Sequence, residues 1–96
     1  MVHSKTKISA LKKYISRIGY DSDLYQSEDP LVEDDILYIL DDGDQAAHVQ
    51  LTMEGGMMPC YVKDEGKIVF GPHFTDGVTD IPDMMDWLTD NILEQR

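Results

Sequence analysis

Residues 36–51, ILYILDDGDQAAHVQL, decide the fold. Five apolar residues run into Asp41, Asp42 and Gly43, and a second partly apolar run leads away toward Leu51. Val32, Ile36, Ile39 and Leu40 would also fit one face of a helix through 29–40. The turn dipeptide directly behind them favours a strand, because Asp-Gly suits a two-residue hairpin turn whose central residues both take positive φ. With Asp42-Gly43 as that turn, Asp41 opposes Asp44, Tyr38 opposes Ala47 and Ile36 opposes Val49. Ile36, Tyr38 and Leu40 are then expected to share the buried face with Ala47, Val49 and Leu51.

Downstream, Gly55-Gly56 and Asp64-Glu65-Gly66 provide two further turns. Between and after them lie strands expected at 57–63 and 67–71, with Met58, Cys60 and Val62 facing inward opposite Ile68 and Phe70. Gly71-Pro72 ends the sheet, and 73–79 connects to a last helix over 81–94. Asp80 is its cap, Pro82 is tolerated in its first turn, and Ile81, Met84, Met85, Leu88 and Ile92 make its apolar face, with Trp87 flanking. Upstream, Ile8, Leu11, Ile15 and Ile18 recur at helical spacing, which predicts a helix over 6–19. Ser4 or Thr6 would cap it, and Gly19 would end it in the left-handed conformation. The stretch 20–35, YDSDLYQSEDPLVEDD, is polar, acidic and broken by Pro30, and reads as an acidic loop. The expected fold is α+β in one small domain spanning 1–96. It comprises an N-terminal helix, a four-stranded antiparallel meander (36–41, 45–52, 57–63, 67–71) and a C-terminal helix packed on one face of the sheet.

Charge is segregated along this chain. All nineteen acids lie between Asp21 and Glu94, whereas five of the eight bases (Lys5, Lys7, Lys12, Lys13 and Arg17) precede them. Between residues 18 and 95 only Lys63 and Lys67 are basic, and the whole chain carries a formal net charge of −11. A body this negative repels nucleic acid and anionic lipid surfaces and is drawn to basic protein surfaces. A hydrophobic content of 42% is too high for an intrinsically disordered chain, which favours a folded acidic domain. The single Cys60 allows no internal disulfide, no apolar stretch follows the N-terminal cations as in a signal peptide, and Ile36–Leu40 is far too short to span a bilayer. A cytoplasmic protein without membrane contact is expected.

No catalytic or cofactor motif emerges. An EF-hand frame started at Asp21 meets Gln26 where glycine is needed, and one started at Asp41 meets Gly43 at its third position. His3, His48, Cys60 and His73 match no compact zinc-ligand spacing. The glycines are accounted for by turns. The expectation is no metal, no cofactor and no enzyme activity.

Three acidic groups are the candidate partner-binding residues. Asp83, Asp86, Asp90 and Glu94 share one face of the last helix, with no base between them to relieve their repulsion. Glu28, Asp29, Glu33, Asp34 and Asp35 form the second group, and Asp41, Asp42 and Asp44 the third, at the hairpin tip. Rigidly spaced carboxylates can compete with phosphates for the arginines and lysines of a nucleic-acid-binding groove. In size and charge the chain resembles phage-encoded nucleic-acid mimics of the anti-restriction and anti-CRISPR type. That resemblance implies an inhibitor of a nuclease or host-defence protein that does not itself bind nucleic acid. Two other readings compete: a toxin-neutralising immunity protein, and an adaptor subunit binding through Met53, Met57, Tyr61 and Trp87. A homodimer burying a Tyr/Met surface is a further expectation.

Overall fold

The structure, a computed structural model, describes residues 5–29, 31, 34–52, 56–62, 66–74 and 80–95. Helix α1 (Lys5–Arg17) leads into strands β1 (Asp21–Tyr25), β2 (Asp35–Asp41), β3 (Asp44–Leu51), β4 (Met57–Val62) and β5 (Ile68–Phe70). Helix α2 (Asp80–Asn91) and a 3-10 turn at Leu93–Gln95 follow. The strands form one antiparallel sheet in the order β1-β2-β3-β4-β5, a five-stranded meander.

The start of α1 follows from the apolar stripe, with Leu11 and Ile15 fully buried. Of its two candidate caps, Ser4 lies outside the described residues and Thr6 falls inside the helix. Its end is a Schellman motif. Gly19, at φ +92°, donates to the Ser16 carbonyl and Tyr20 donates to the Ile15 carbonyl, each at 3.1 Å. Tyr20 then packs against the core, which fixes the angle at which the chain enters the sheet.

Two sequence-based expectations need correction. The stretch 20–35 is not loop throughout, because Asp21–Tyr25 pairs with β2, making five strands rather than four. The sequence hides this strand because only Leu24 and Ser22 turn toward the packed face, while Asp21, Asp23 and Tyr25 are exposed. Charged residues on an edge strand are common, since they keep that edge from pairing with another chain.

The second correction concerns the phase of the sheet. Asp42 (φ +52°) and Gly43 (φ +89°) form the expected turn, and Asp41 pairs with Asp44. The register then shifts between Ile39 and Leu40, so that Leu40 pairs with Gln45 but Ile39 pairs with Ala47. Ala46 is the extra residue of a β-bulge. Beyond it Tyr38 faces His48, Leu37 faces Val49 and Ile36 faces Gln50. A one-residue slip exchanges the two faces of every following pair. The fully buried positions of β2 are therefore Leu37 and Ile39, and Ile36, Tyr38 and Leu40 lie on the opposite face, half-buried.

Both helices cover the face that carries Leu37, Ile39, Ala47, Val49, Leu51 and Met57, where Leu11, Ile15, Met84 and Leu88 complete the core. Ala46 and Ala47 both enter this core, as the bulge turns two small side chains toward it. Full burial of each large aliphatic side chain contributes about 1.5–3 kcal/mol. On β4 the packed face holds Met57, Pro59 and Tyr61, so Met58, Cys60 and Val62 do not point at the helices, contrary to expectation. Ile68 and Phe70 share their side and are exposed.

Helix α2 is seated by Trp87. A Cβ at Gly71 would come within 2.6 Å of the Trp87 ring and 3.0 Å of Pro59, so the indole occupies the space that glycine leaves open. The helix ends at Asn91 rather than 94, with the Asn91 amide donating to the Trp87 carbonyl at 2.9 Å. Replacing Gly71 by alanine should push the ring off its seat and cost about 1–3 kcal/mol, as overpacking usually does. A urea titration followed by Trp87 emission reads this directly. An unchanged midpoint would mean that the ring does not anchor α2.

Candidate acidic interface

Because Met84, Met85, Leu88 and Ile92 point into the core, the opposite side of α2 is left to solvent, and Asp83, Asp86 and Asp90 are exposed there. Glu94 is exposed too, but it sits in the 3-10 turn and not on the helix proper. The four-residue stripe is thus a three-residue helical stripe with a fourth carboxylate beyond its end. Asp80 and Asp83 occupy the first turn, where negative charge suits the helix dipole; Asp90, near the opposite end, does not.

The second group divides. Glu28 and Asp29 are exposed, and Asp29 folds a local turn by accepting from the Leu31 N–H at 3.1 Å. Asp34 and Asp35 are half-buried and tie strands together. Asp35 accepts from the Ser27 N–H at 2.9 Å, and Asp34 from the Gln50 side-chain amide at 2.8 Å. Glu33 lies outside the described residues. Asp35 therefore closes the connection between β1 and β2, and Asp34 ties that connection to β3.

The hairpin group gains members that the sequence reading missed. Asp42 and Asp44 are exposed and Asp41 is half-buried. Asp21 pairs with Leu40, next to Asp41, so the start of β1 brings its carboxylate to the hairpin end of the sheet, with Asp23 on the same face. The signal was the D-S-D alternation at 21–23, which a loop assignment discards. The basic helix, meanwhile, docks on its own acidic body, since α1 contacts both β1 and α2. Lys12, Lys13 and Arg17 are exposed on it, and the Arg17 guanidinium lies 5.7 Å from the Tyr14 ring centroid, a cation–π distance.

His48 and Cys60 are paired across β3 and β4, on the side of the sheet away from the helices. His48 is nearly fully buried, takes a 3.3 Å contact from the Gln45 amide at Nδ1, and lies tilted against Tyr38 with ring centroids 5.9 Å apart. Burial lowers its pKa from the ordinary 6.5 and raises that of the Cys60 thiol to about 11. At neutral pH the pair is an uncharged imidazole beside an un-ionised thiol, the reverse of an activated nucleophile. Cys60 instead directs its S–H at the Met58 carbonyl, 3.4 Å away. Among the described residues no group of three or more His, Cys, Asp or Glu side chains is placed to hold a metal ion. No helix among them is long and apolar enough to cross a membrane. Of the residues expected to form an adaptor patch, Met57 is fully buried, Tyr61 and Trp87 pack against the core, and Met53 lies outside the described residues.

Two measurements follow from the buried pair. A histidine whose folded pKa is depressed adds nothing above its unfolded pKa, and its protonation in the unfolded chain drains stability as pH falls below that value. Between about pH 7.5 and about pH 5.5 the parent should therefore lose more stability than His48→Gln, with the difference appearing below 6.5. Equal pH slopes in the two proteins would show that His48 is accessible to protons in the fold. In the same way, Cys60 should resist thiol reagents in native buffer and react completely in denaturant.

No protein-family model, curated protein or solved structure matches this chain, so its function has to be argued from its own residues.

Proposed function

We propose that this protein is a small acidic inhibitor that occupies the basic nucleic-acid-binding surface of a nuclease or host-defence protein, with carboxylates standing in for backbone phosphates. The observation that carries this reading is the row Asp83, Asp86, Asp90 and Glu94. Asp83, Asp86 and Asp90 are exposed along one side of a helix whose other side is locked into the core, and Glu94 is exposed in the 3-10 turn beyond its end. A locked helix presents its charges at fixed spacing, and fixed charges lose less entropy on meeting a rigid cationic groove than mobile ones do. Charges three to four residues apart advance about 4.5–6 Å along a helix axis. One strand of B-DNA places a phosphate about every 3.4 Å. The row thus has roughly two-thirds of the linear charge density of a nucleic-acid strand, enough to engage alternate cations of a groove. The exposed hairpin acids extend the negative field around the end of the sheet. On this reading the protein acts in the cytoplasm, catalyses nothing, and touches neither nucleic acid nor membrane.

The test is titration into purified restriction and RNA-guided nucleases assayed on duplex DNA. Inhibition should be relieved by excess DNA, and it should weaken by about 50- to 150-fold between about 50 and about 200 mM salt if four charge contacts are made. The variant D83K/D86K/D90K/E94K should fold normally by circular dichroism and lose inhibition. If it inhibits as well as the parent, α2 is not the mimic; if inhibition ignores both salt and competing DNA, the phosphate-mimic reading fails.

A further inference from the structure

The sheet face away from the helices is largely apolar. An antiparallel sheet with one face on the core and one in water normally alternates apolar and polar residues. Here the five apolar residues Ile36–Leu40 supply both faces of β2, and β4 and β5 do the same. Opposite the helices, one row across the strands reads Tyr25, Ile36, Gln50, Met58, and the next reads Asp23, Tyr38, His48, Cys60, Phe70. At its margins Tyr25 is 48% exposed, Val62 49%, Ile68 52% and Phe70 57%. Neither helix covers this side. Between these margins Ile36, Tyr38, Leu40 and Met58 are half-buried and His48 and Cys60 are buried, so the exposed apolar surface is concentrated at Val62, Ile68 and Phe70, with Tyr25 at the far edge. Exposed apolar surface gathered in this way is often an interaction site.

The charges on that face indicate what covers it. Asp21 and Asp23 stand in the same rows as Leu40 and Tyr38, on strand β1, and Asp42 lies in the turn at the hairpin end, whereas Asp44 pairs with Asp41 on the helix side. Strands about 4.8 Å apart and about five residues long make the face roughly 400 Å² in plan. A stable interface buries about 800 Å² per partner, so contact has to extend over the rim. A second copy docked face to face would bring its own Asp21 and Asp23 against that edge. A partner with lysines and arginines around an apolar centre would satisfy both parts of the surface. We infer that the helix-free sheet face is a docking surface for a protein presenting an apolar patch ringed by basic side chains. This surface is distinct from the α2 row, on the helix side, and shares with the proposed function only the basic character of the partner.

Two helical peptides of equal length and equal lysine count serve as probes, one with a leucine face and one with serine at those positions. The leucine peptide should bind the intact protein at least about tenfold more tightly, since each buried leucine adds a hydrophobic increment. Its amide shift changes should map to Tyr25, Tyr38, Val62 and Phe70. I68S/F70S should remove the leucine peptide's advantage, and D21N/D23N should weaken both peptides and flatten the salt dependence. D83K/D86K/D90K/E94K should retain the leucine preference. The α2 row can thus fail as a mimic while this inference stands, and the converse also holds. Equal affinity for the two peptides, shifts confined to α2, or an unaltered preference in a folded I68S/F70S would overturn it. So would a dimer in sedimentation equilibrium that I68S/F70S dissolves, since a second copy would then be the occupant.

Discussion

One extra residue, Ala46, sets the relation between the two layers of this protein. The Asp42-Gly43 turn fixes how β2 and β3 begin to pair, and the bulge three residues later changes which side chains face the helices. Without it, Ile36, Tyr38 and Leu40 would lie under α1 and α2, and the tyrosine hydroxyl would need a partner in the core. With it, Leu37, Ile39, Val49 and Leu51 meet Leu11, Ile15, Met84 and Leu88, an entirely aliphatic and thioether contact. The bulge residue and its neighbour are both alanine, and two consecutive side chains directed into one core have to be small. His48 and Cys60 are buried side chains in the middle of the other face, paired across β3 and β4.

Element by element, legibility depended on whether local chemistry was enough. Gly19 and Asp42-Gly43 announced their backbone conformations because positive φ is a local demand met by few residues. Both helices followed from apolar spacing. The edge strand β1 escaped notice because its stability comes from pairing with β2, while its own side chains are mostly polar. The face assignment failed for a related reason. When both phases of a strand are apolar, alternation carries no information about which side is buried, and a bulge leaves no fixed signature in composition. The same ambiguity was the visible trace of an apolar face turned away from the helices. As for the acids, exposure of Asp83, Asp86 and Asp90 was readable from helical periodicity. The structural duties of Asp34 and Asp35 were not, because Gln50 and Ser27 reach them only through the folded sheet.

The acidic row on α2 is an unfavourable arrangement in isolation. Like charges three and four residues apart each cost a helix about 0.2–0.5 kcal/mol, and Asp90 lies near the end where the dipole disfavours it. Burial of Met84, Met85 and Leu88 outweighs this several times over, so α2 owes its existence to packing and not to its own propensity. The helix is free to carry a charge pattern that no solvent-exposed peptide would keep.

The order of strands bears on how the chain finds this state. Each strand pairs with its neighbour in sequence, in the order β1-β2-β3-β4-β5. Pairing of this kind closes only short loops, which places such a chain among the faster folders for its strand content. The longest closure among the described contacts is that between α1 and α2 at the two ends of the sequence. A meander of this sort can assemble hairpin by hairpin as the chain leaves the ribosome. The contact between α1 and α2 can form only once α2 has been synthesised.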